Sequence, residues 1–201
     1  MGEARAVTMG RPREFDLERA LDQAIDVFWR NGYEGTSIAD LTEAMGINPP
    51  SLYAAFGNKE ALFRKALYRY VEARAGHWHE ALHAPTARAM VELLLYGSAD
   101  FLTNESNPPG CLFVRSAMAC NEAAGAIRCE MGERGEAGER PLRERLERAK
   151  AEGELPPEFD AADYARYIIT VMEGMAVRAA EGATRSDLHK VADLTLRTWP
   201  A

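Results

Sequence analysis

Residues 32–63 read GYEGTSIADLTEAMGINPPSLYAAFGNKEALF, and this stretch decides the fold. Ser37 followed by Asp40 predicts the start of a helix, because the two residues can cap the free backbone amides of a first turn. Gly46 ends that helix after about two turns. Asn48 followed by Pro49 is a cap and a first-turn proline, which starts another helix. The pattern predicts two short helices joined by a tight turn, which is the outline of a helix-turn-helix.

The segments on either side complete a small helical head. Asp16 predicts the start of a helix with apolar residues at spacings of three and four, which ends at Gly32. Asn58 caps a longer helix that is predicted over residues 59–83. The remaining chain is predicted as further helices at 86–104, 111–124, 126–152, 160–181 and 186–199. No alternating strand pattern is found, so the expected fold class is all-α, with a three-helix head and a C-terminal helical bundle.

The composition and the charge exclude several classes of protein. The 201 residues are 47% apolar and 27% charged, and no stretch approaches the roughly 18 apolar residues of a membrane span. The net charge of −7 argues against non-specific coating of nucleic acid. Residues 1–70 account for only −1 of it, so a DNA-reading surface is expected at the front. Three cysteines and an N-terminus without an apolar region predict a cytoplasmic protein.

The stretch from Gly32 to Phe63 closely resembles the signature of the TetR/AcrR family. The shared features are a Gly-Tyr, a Thr-Ser before the next helix, a Met-Gly turn, and Leu-Tyr-x-x-Phe-x-x-Lys-Glu, in this order and spacing. The resemblance implies a transcriptional regulator, by family default a repressor, that binds a palindromic operator as a homodimer. A small-molecule effector, not named by the sequence, would release it, and no enzyme activity or cofactor is implied. The expected domains are an arm at 1–13, a DNA-binding domain at 14–70, and an effector and dimerisation domain at 71–201.

The second helix of the pair carries few hydrogen-bonding side chains. It has no Arg, Lys or Gln between Asn48 and Phe56, so bidentate reading of guanine is not expected from it. Pro50 and Ala54 are predicted to touch thymine methyl groups, with Asn48 or Ser51 supplying a polar contact. A histidine often precedes the phenylalanine in this family, and its absence here leaves the operator sequence open.

Phosphate contacts are predicted around the same helix. The resemblance implies that Tyr53 and Lys59 bind phosphate. The helix N-termini at residues 36–37 and 58–59 are expected to offer backbone N–H groups. Arg11 and Arg13 either enter a narrow minor groove or belong to a solvated tail. The predicted DNA-binding set is Arg11, Arg13, Thr36, Ser37, Asn48, Pro50, Ser51, Tyr53, Ala54 and Lys59.

Residues 79–83 read HEALH and support a competing hypothesis. Two histidines four residues apart share a helix face, and Glu80 could activate a zinc-bound water, which would make the protein a zinc-dependent hydrolase. Pro85 ends the helix, however, and no third histidine follows at a metalloprotease spacing. Polar residues at a helix end, or lining a pocket, are the favoured interpretation of His79 and His83. A ligand-binding bundle without a DNA role would leave the caps of the head unexplained.

The C-terminal segments carry apolar stripes that suit either a two-fold interface or the core of one chain. The dimer is favoured, because a helix-turn-helix head gains most from two-fold DNA. The predicted interface residues are Tyr164, Ile168, Val171, Met172, Met175, Leu188, Val191 and Leu194. The predicted effector-pocket residues, for which ordinary core is the alternative, are Trp78, Phe101, Cys111, Phe113, Met118 and Tyr167.

Cys111 follows Pro108-Pro109-Gly110 at a predicted helix N-terminus. Thiols at such positions can be reactive, so one interpretation is a sensor of oxidants or electrophiles. An ordinary buried cysteine is the other interpretation. Cys120 lies nine residues further on, roughly on the opposite helix face, so the two are not expected to share a site on that helix.

Overall fold

The computed structural model describes residues 16–119 and 125–200, with side chains except at 117–119, 125–131 and 134. Arg11, Arg13 and the side chain of Met118 therefore lie outside the described part. Within that part there are nine α-helices and no strand, so the all-α prediction is confirmed. The helices are α1 (Leu17–Asn31), α2 (Ile38–Met45), α3 (Pro49–Phe56), α4 (Lys59–Leu82), α5 (Ala87–Leu102), α6 (Leu112–Ala119), α7 (Gly125–Ala151), α8 (Ala161–Ala180) and α9 (Arg185–Arg197). No described helix is long and apolar enough to cross a membrane.

Side-chain caps start the helices of the head where the sequence predicts them. The Asp16 carboxylate accepts from the Glu18 and Arg19 amides. Ser37 and Asp40 form a reciprocal capping box, with donor–acceptor distances of 2.8 and 3.1 Å. These bonds satisfy amides that a helix start leaves without a partner, so the sequence signals correspond to real helix ends.

Two apolar cores hold the chain together, and α4 runs through both. In the head, Phe28 is fully buried and meets the Phe63 ring edge-on at 5.1 Å. The body core is built on α5, α7, α8 and α9, where Leu94, Leu142 and Ile168 are fully buried. Near its far end α4 contributes Ala81 to that second core. Movement of α4 relative to the body would therefore be carried to the head.

Head and body also meet between α1 and the loop that precedes α6. The indole Nε1 of Trp29 donates to the Gly110 carbonyl at 3.3 Å. Leu112 is fully buried in the head core although it belongs to α6. The guanidinium of Arg115 donates to the carbonyls of Trp29 and Arg30 at the end of α1. These contacts tie the body to the first helix of the head.

Helices α4 and α5 approach closely at Gly97. A Cβ atom added there would overlap the imidazole of His77 at Cε1 and Nε2. We expect Gly97→Ala to destabilise the protein by about 1–3 kcal/mol, because overpacking forces neighbouring groups to move. Urea unfolding at a fixed protein concentration measures the loss. His77→Ala in the same chain should remove most of it, and an additive double variant would show that this contact is not the cause.

Candidate nucleic-acid interface

The turn between α2 and α3 sets the angle of the second helix. Gly46 adopts the left-handed conformation, with φ 64° and ψ 30°, which glycine enters without a Cβ penalty. Leu52 is fully buried and Phe56 is 5% exposed, so one face of α3 is fixed to the head core. The opposite face is consequently held in one orientation towards solvent.

That outer face presents the residues that the sequence predicts for base contact. Pro49, Pro50, Tyr53 and Ala54 are exposed, whereas Ser51 is half-buried. Tyr53 retains 49% of its accessible surface although it is a large aromatic residue. Small apolar groups beside one phenol form a surface that can approach base methyls and phosphates.

Asn48 is exposed and also caps the N-terminus of α3. Its side-chain oxygen accepts from the Ser51 amide at 2.9 Å and caps α3. The side-chain NH2 group of Asn48 keeps two hydrogens that it can donate to an acceptor outside the protein. Its cap geometry therefore leaves a donor at the N-terminus of the exposed helix.

Lys59 is held at the start of α4 by an aromatic ring. Its Nζ lies 4.5 Å from the centroid of Tyr33, and the Tyr33 ring packs against Phe63 at 5.0 Å. A cation over an aromatic face loses part of its side-chain freedom before any ligand arrives. The predicted site omits this contact of Tyr33 with Lys59, although the Gly-Tyr pair was its sequence signal.

The backbone N–H groups of Thr36 and Ser37, which the sequence predicts to be free for phosphate, instead donate within the protein, to the Tyr33 carbonyl and the Asp40 carboxylate. Thr36 is 1% exposed and its hydroxyl donates to the Gly32 carbonyl at 2.7 Å. The Ser37 amide donates to the Asp40 carboxylate, and this bond lowers the pKa of Asp40. The carboxylate is therefore ionised near pH 7, and the start of α2 is less favourable for phosphate than the sequence suggests.

The body contains a cavity of about 510 Å³ between α4, α5, α6, α7 and α8. Of the predicted pocket residues, Trp78, Cys111 and Phe113 line it. Phe101 instead stacks on Trp29 at 5.6 Å, and Tyr167 is 39% exposed and does not line the cavity. Neither residue lines this cavity, because helical spacing does not tell which neighbour a face meets, and their part in effector binding stays a prediction. The cavity also has residues that the prediction missed, among them Tyr70, Arg74, Met172 and Glu173.

Several predicted interface residues belong to the core of the single chain. Ile168, Met175 and Leu188 are at most 1% exposed, so they cannot form a face for a second copy. Tyr164 packs edge-on against Trp199 at 5.3 Å. Of the remaining predictions, Val171 is half-buried against the body core, Met172 lines the cavity, and Val191 and Leu194 are exposed.

The histidines of the HEALH segment do not assemble a ligand set. His79 and His83 are exposed and their rings stack with centroids 4.1 Å apart. Nδ1 of His83 lies 2.7 Å from the His79 carbonyl, which occupies one ring nitrogen. Among the described residues no group of three or more His, Cys, Asp or Glu side chains is arranged to hold a metal ion. The hydrolase hypothesis gains no support from this geometry.

An outward-facing helix-turn-helix joined to a helical body with a cavity defines a DNA-binding regulator with two domains. Residues 20–70 match the family model described as bacterial regulatory proteins, tetR family. Residues 87–192 match the tetracyclin repressor-like C-terminal domain. The chain therefore belongs to the TetR family of bacterial regulators, and it is not an enzyme.

Relatives and solved structures agree with this assignment. The chain is 37% identical over 193 residues to the HTH-type transcriptional repressor ComR of Escherichia coli K12, covering 95% of this chain and 92% of ComR. It is 38% identical over 105 residues to the repressor BdcR of the same organism, covering 51% of this chain and 53% of BdcR. A cysteine mutant of the TetR family regulator CifR, solved with 26-bp operator DNA, is 42% identical with a TM-score of 0.90. That match covers 95% of this chain and all of the CifR chain. The family predicted from residues 32–63 is confirmed.

Proposed function

We propose that this protein is a repressor that binds a palindromic operator as a homodimer and leaves it when a small molecule occupies the body cavity. The observation that carries the proposal is the outer face of α3, which is exposed while Leu52 and Phe56 anchor its other side. A rigid, exposed second helix is the element that helix-turn-helix proteins place in the major groove. The operator-bound structure of the similar CifR supports DNA as the partner.

Within this proposal the outer face of α3 reads bases, while Tyr53 on that face and Lys59 at the start of α4 contact phosphates. Pro50 and Ala54 lie against thymine methyls, and the Asn48 amide donates to a base edge or a phosphate. Tyr53 and Lys59 bind phosphate oxygens on either side of the groove. Ser51 is half-buried and supplies a secondary contact.

The homodimer is supported by apolar side chains that the single chain leaves uncovered on α8 and α9. Leu194 is 57% exposed, Tyr167 39% and Val191 36%. Large exposed apolar groups on two neighbouring helices are typical of a protein interface. Pairing of α8 and α9 with their copies would place two heads for adjacent half-sites.

Effector release is supported by the elements that line the cavity. Tyr70, Arg74 and Trp78 face it from α4, the helix that begins at the phosphate-binding Lys59. A ligand that binds better to one position of α4 shifts the population of heads spaced for the operator. The coupling is expected to be reciprocal, so operator DNA should weaken effector binding equally.

The operator proposal is tested by fluorescence anisotropy with DNA from around the protein's own gene. We expect saturable binding with two chains per palindrome, displaced by related sequences and not by random DNA. Tyr53→Phe should weaken binding by about tenfold, because one charge-assisted phosphate bond is worth about 1.5 kcal/mol. Equal affinity for the gene-flanking fragments and random DNA, at low and at moderate salt, would contradict the proposal.

Lys59→Met tests the phosphate contact by its salt dependence. We expect operator affinity to fall by about five- to tenfold, and the slope of log affinity against log salt to decrease by about 1 per protomer. Lys190→Met is the matched control, because it removes one exposed lysine from α9, far along the chain from the head. An unchanged slope in the Lys59 variant would show that this ammonium does not contact DNA.

A further inference from the structure

One end of the body cavity is chemically unlike the rest. The Sγ of Cys111, a free thiol, accepts a hydrogen bond from the Tyr70 hydroxyl at 3.4 Å. Nη1 of Arg74 lies 3.7 Å from the same sulfur and donates to the Tyr70 hydroxyl at 3.1 Å. All three residues line the cavity, and Cys111 is half-buried, so the sulfur is reachable from inside it. Two donors and a positive charge converge on a nucleophilic atom.

The surroundings keep this arrangement in place. Tyr70 is 5% exposed, and burial raises the pKa of its phenol well above the usual value, so the hydroxyl stays protonated and remains a donor. The Arg74 guanidinium carbon lies 3.9 Å from the centroid of Phe101, which fixes the charge beside the sulfur. The phenol donor and the guanidinium are therefore held within reach of the sulfur and of any acceptor atom that is bound beside it.

The rest of the lining restricts what can approach. Val71, Trp78, Leu82, Leu102 and Phe113 give the cavity a mostly apolar wall, to which His79, Ser98 and Glu173 add polar groups. A volume of about 510 Å³ is in the range that holds an organic molecule of moderate size. A small water-soluble oxidant such as a peroxide would gain nothing from such walls, whereas an apolar organic electrophile would be concentrated beside the sulfur.

We propose that Cys111 captures apolar α,β-unsaturated carbonyl compounds in the body cavity as a covalent thioether, and that this adduct is a signal that releases the operator. In the step, the sulfur forms a bond to the β-carbon and the C=C electron pair moves towards the carbonyl oxygen. Arg74 and Tyr70, freed from the sulfur, donate to that oxygen. The proton lost by the thiol ends on the α-carbon, so S–H adds across the double bond and no oxidant is required. The signalling half of this inference rests on the repressor function proposed above.

The adduct is placed where it would disturb the head. Gly110, beside Cys111, accepts the Trp29 indole bond, and Leu112 on its other side is buried in the head core. A Cβ on Gly110 would lie 3.0 Å from the carbonyl oxygen of Ala176, so this loop has no room to retreat towards α8. Strain from a substituent on the sulfur is therefore directed to α1 and the head.

The first measurement follows covalent capture by intact mass. Cys120→Ser with Cys129→Ser leaves Cys111 as the sole thiol among the 201 residues. We expect N-phenylmaleimide to add once, at least tenfold faster than 6-maleimidohexanoic acid, after both rates are normalised to free cysteine. Arg74→Met and Tyr70→Phe should each slow the apolar reagent severalfold while the far-ultraviolet dichroism is unchanged. Equal normalised rates for the two reagents, or rates unaffected by both variants, would overturn the capture site.

The second measurement follows operator anisotropy before and after the reagent. The fully modified protein should bind at least tenfold more weakly, and a protein that also carries Cys111→Ser should keep its affinity under the same treatment. Complete modification without a change in affinity would overturn the signalling half and leave the repressor function intact. Failure of the unmodified protein to bind the operator would instead count against the repressor function, and the mass measurement would still decide the capture site.

Discussion

Replacing Ala54 with glutamate is expected to weaken operator binding by about 100-fold, or about 2.7 kcal/mol. Ala54 is exposed on the outer face of α3, so the new carboxylate would enter a groove lined by phosphates and base acceptors without disturbing the core. Fluorescence anisotropy at about 0.15 M salt, near physiological ionic strength, measures the loss. The free energy of unfolding of the same variant, measured in urea, should stay within about 0.5 kcal/mol of the parent value. Substitutions at exposed positions rarely change stability by more than that.

Ala73→Glu is the matched control for this variant. Ala73 is also an exposed alanine inside a helix, but it lies on α4 beyond the head core. Ala73→Glu adds the same charge as Ala54→Glu through the same alanine-to-glutamate change in a helix. It therefore measures the effect of net charge alone on DNA affinity. We expect less than a threefold change from it. Equal losses in the two variants would mean that α3 does not lie in the groove.

The largest effect on stability is expected from Phe28→Ala, which should cost about 3–5 kcal/mol. Phe28 is fully buried, meets Phe63 at 5.1 Å and stacks on Tyr33 with centroids 6.4 Å apart. Its removal leaves a cavity at the centre of the head. Because Tyr33 positions Lys59, operator affinity should also fall under conditions where the head remains folded. Urea unfolding at a fixed protein concentration measures the first effect, because the unfolding midpoint of the proposed homodimer would depend on concentration.

Leu17→Ala provides the comparison on the same helix. Leu17 is 52% exposed, so its truncation removes few contacts and should change stability by less than about 0.5 kcal/mol. A loss below about 1 kcal/mol for Phe28→Ala would show that the head does not depend on this ring cluster.

Most of the head could be predicted from the sequence, because its helix caps and helix faces depend on residues close together in the chain. The caps at Asp16, Ser37, Asn48 and Asn58 are formed by hydrogen bonds within three residues, so residue order alone specifies them. Leu52 and Phe56 share one helix face by their spacing, which is why the exposed face of α3 could be predicted. The burial of Thr36 could not be predicted from the sequence, because it depends on how α1 packs against α2.

The body shows where such signals end. An apolar stripe indicates that a helix face is shielded from water. It does not indicate whether that face packs in the core, lines a cavity or contacts a second copy of the chain. Ile168 and Met175 were expected at a dimer face and lie in the core, while Tyr167 was expected in the cavity and lies on the surface. Packing partners separated by long stretches of chain decide these outcomes, and helical periodicity contains no information about them.

By itself the sequence determined the helices, their caps, the outward face of α3 and the family, because each rests on residues close together in the chain. Only the tertiary structure decided that Tyr33 steadies Lys59, that Trp29 bonds Gly110, and that Arg74 and Tyr70 surround the Cys111 sulfur. Trp29 and Gly110 are 81 positions apart, and Tyr70 and Arg74 are 41 and 37 positions from Cys111. Contacts at such separations follow from how whole helices pack, and packing is set by all of their faces at once.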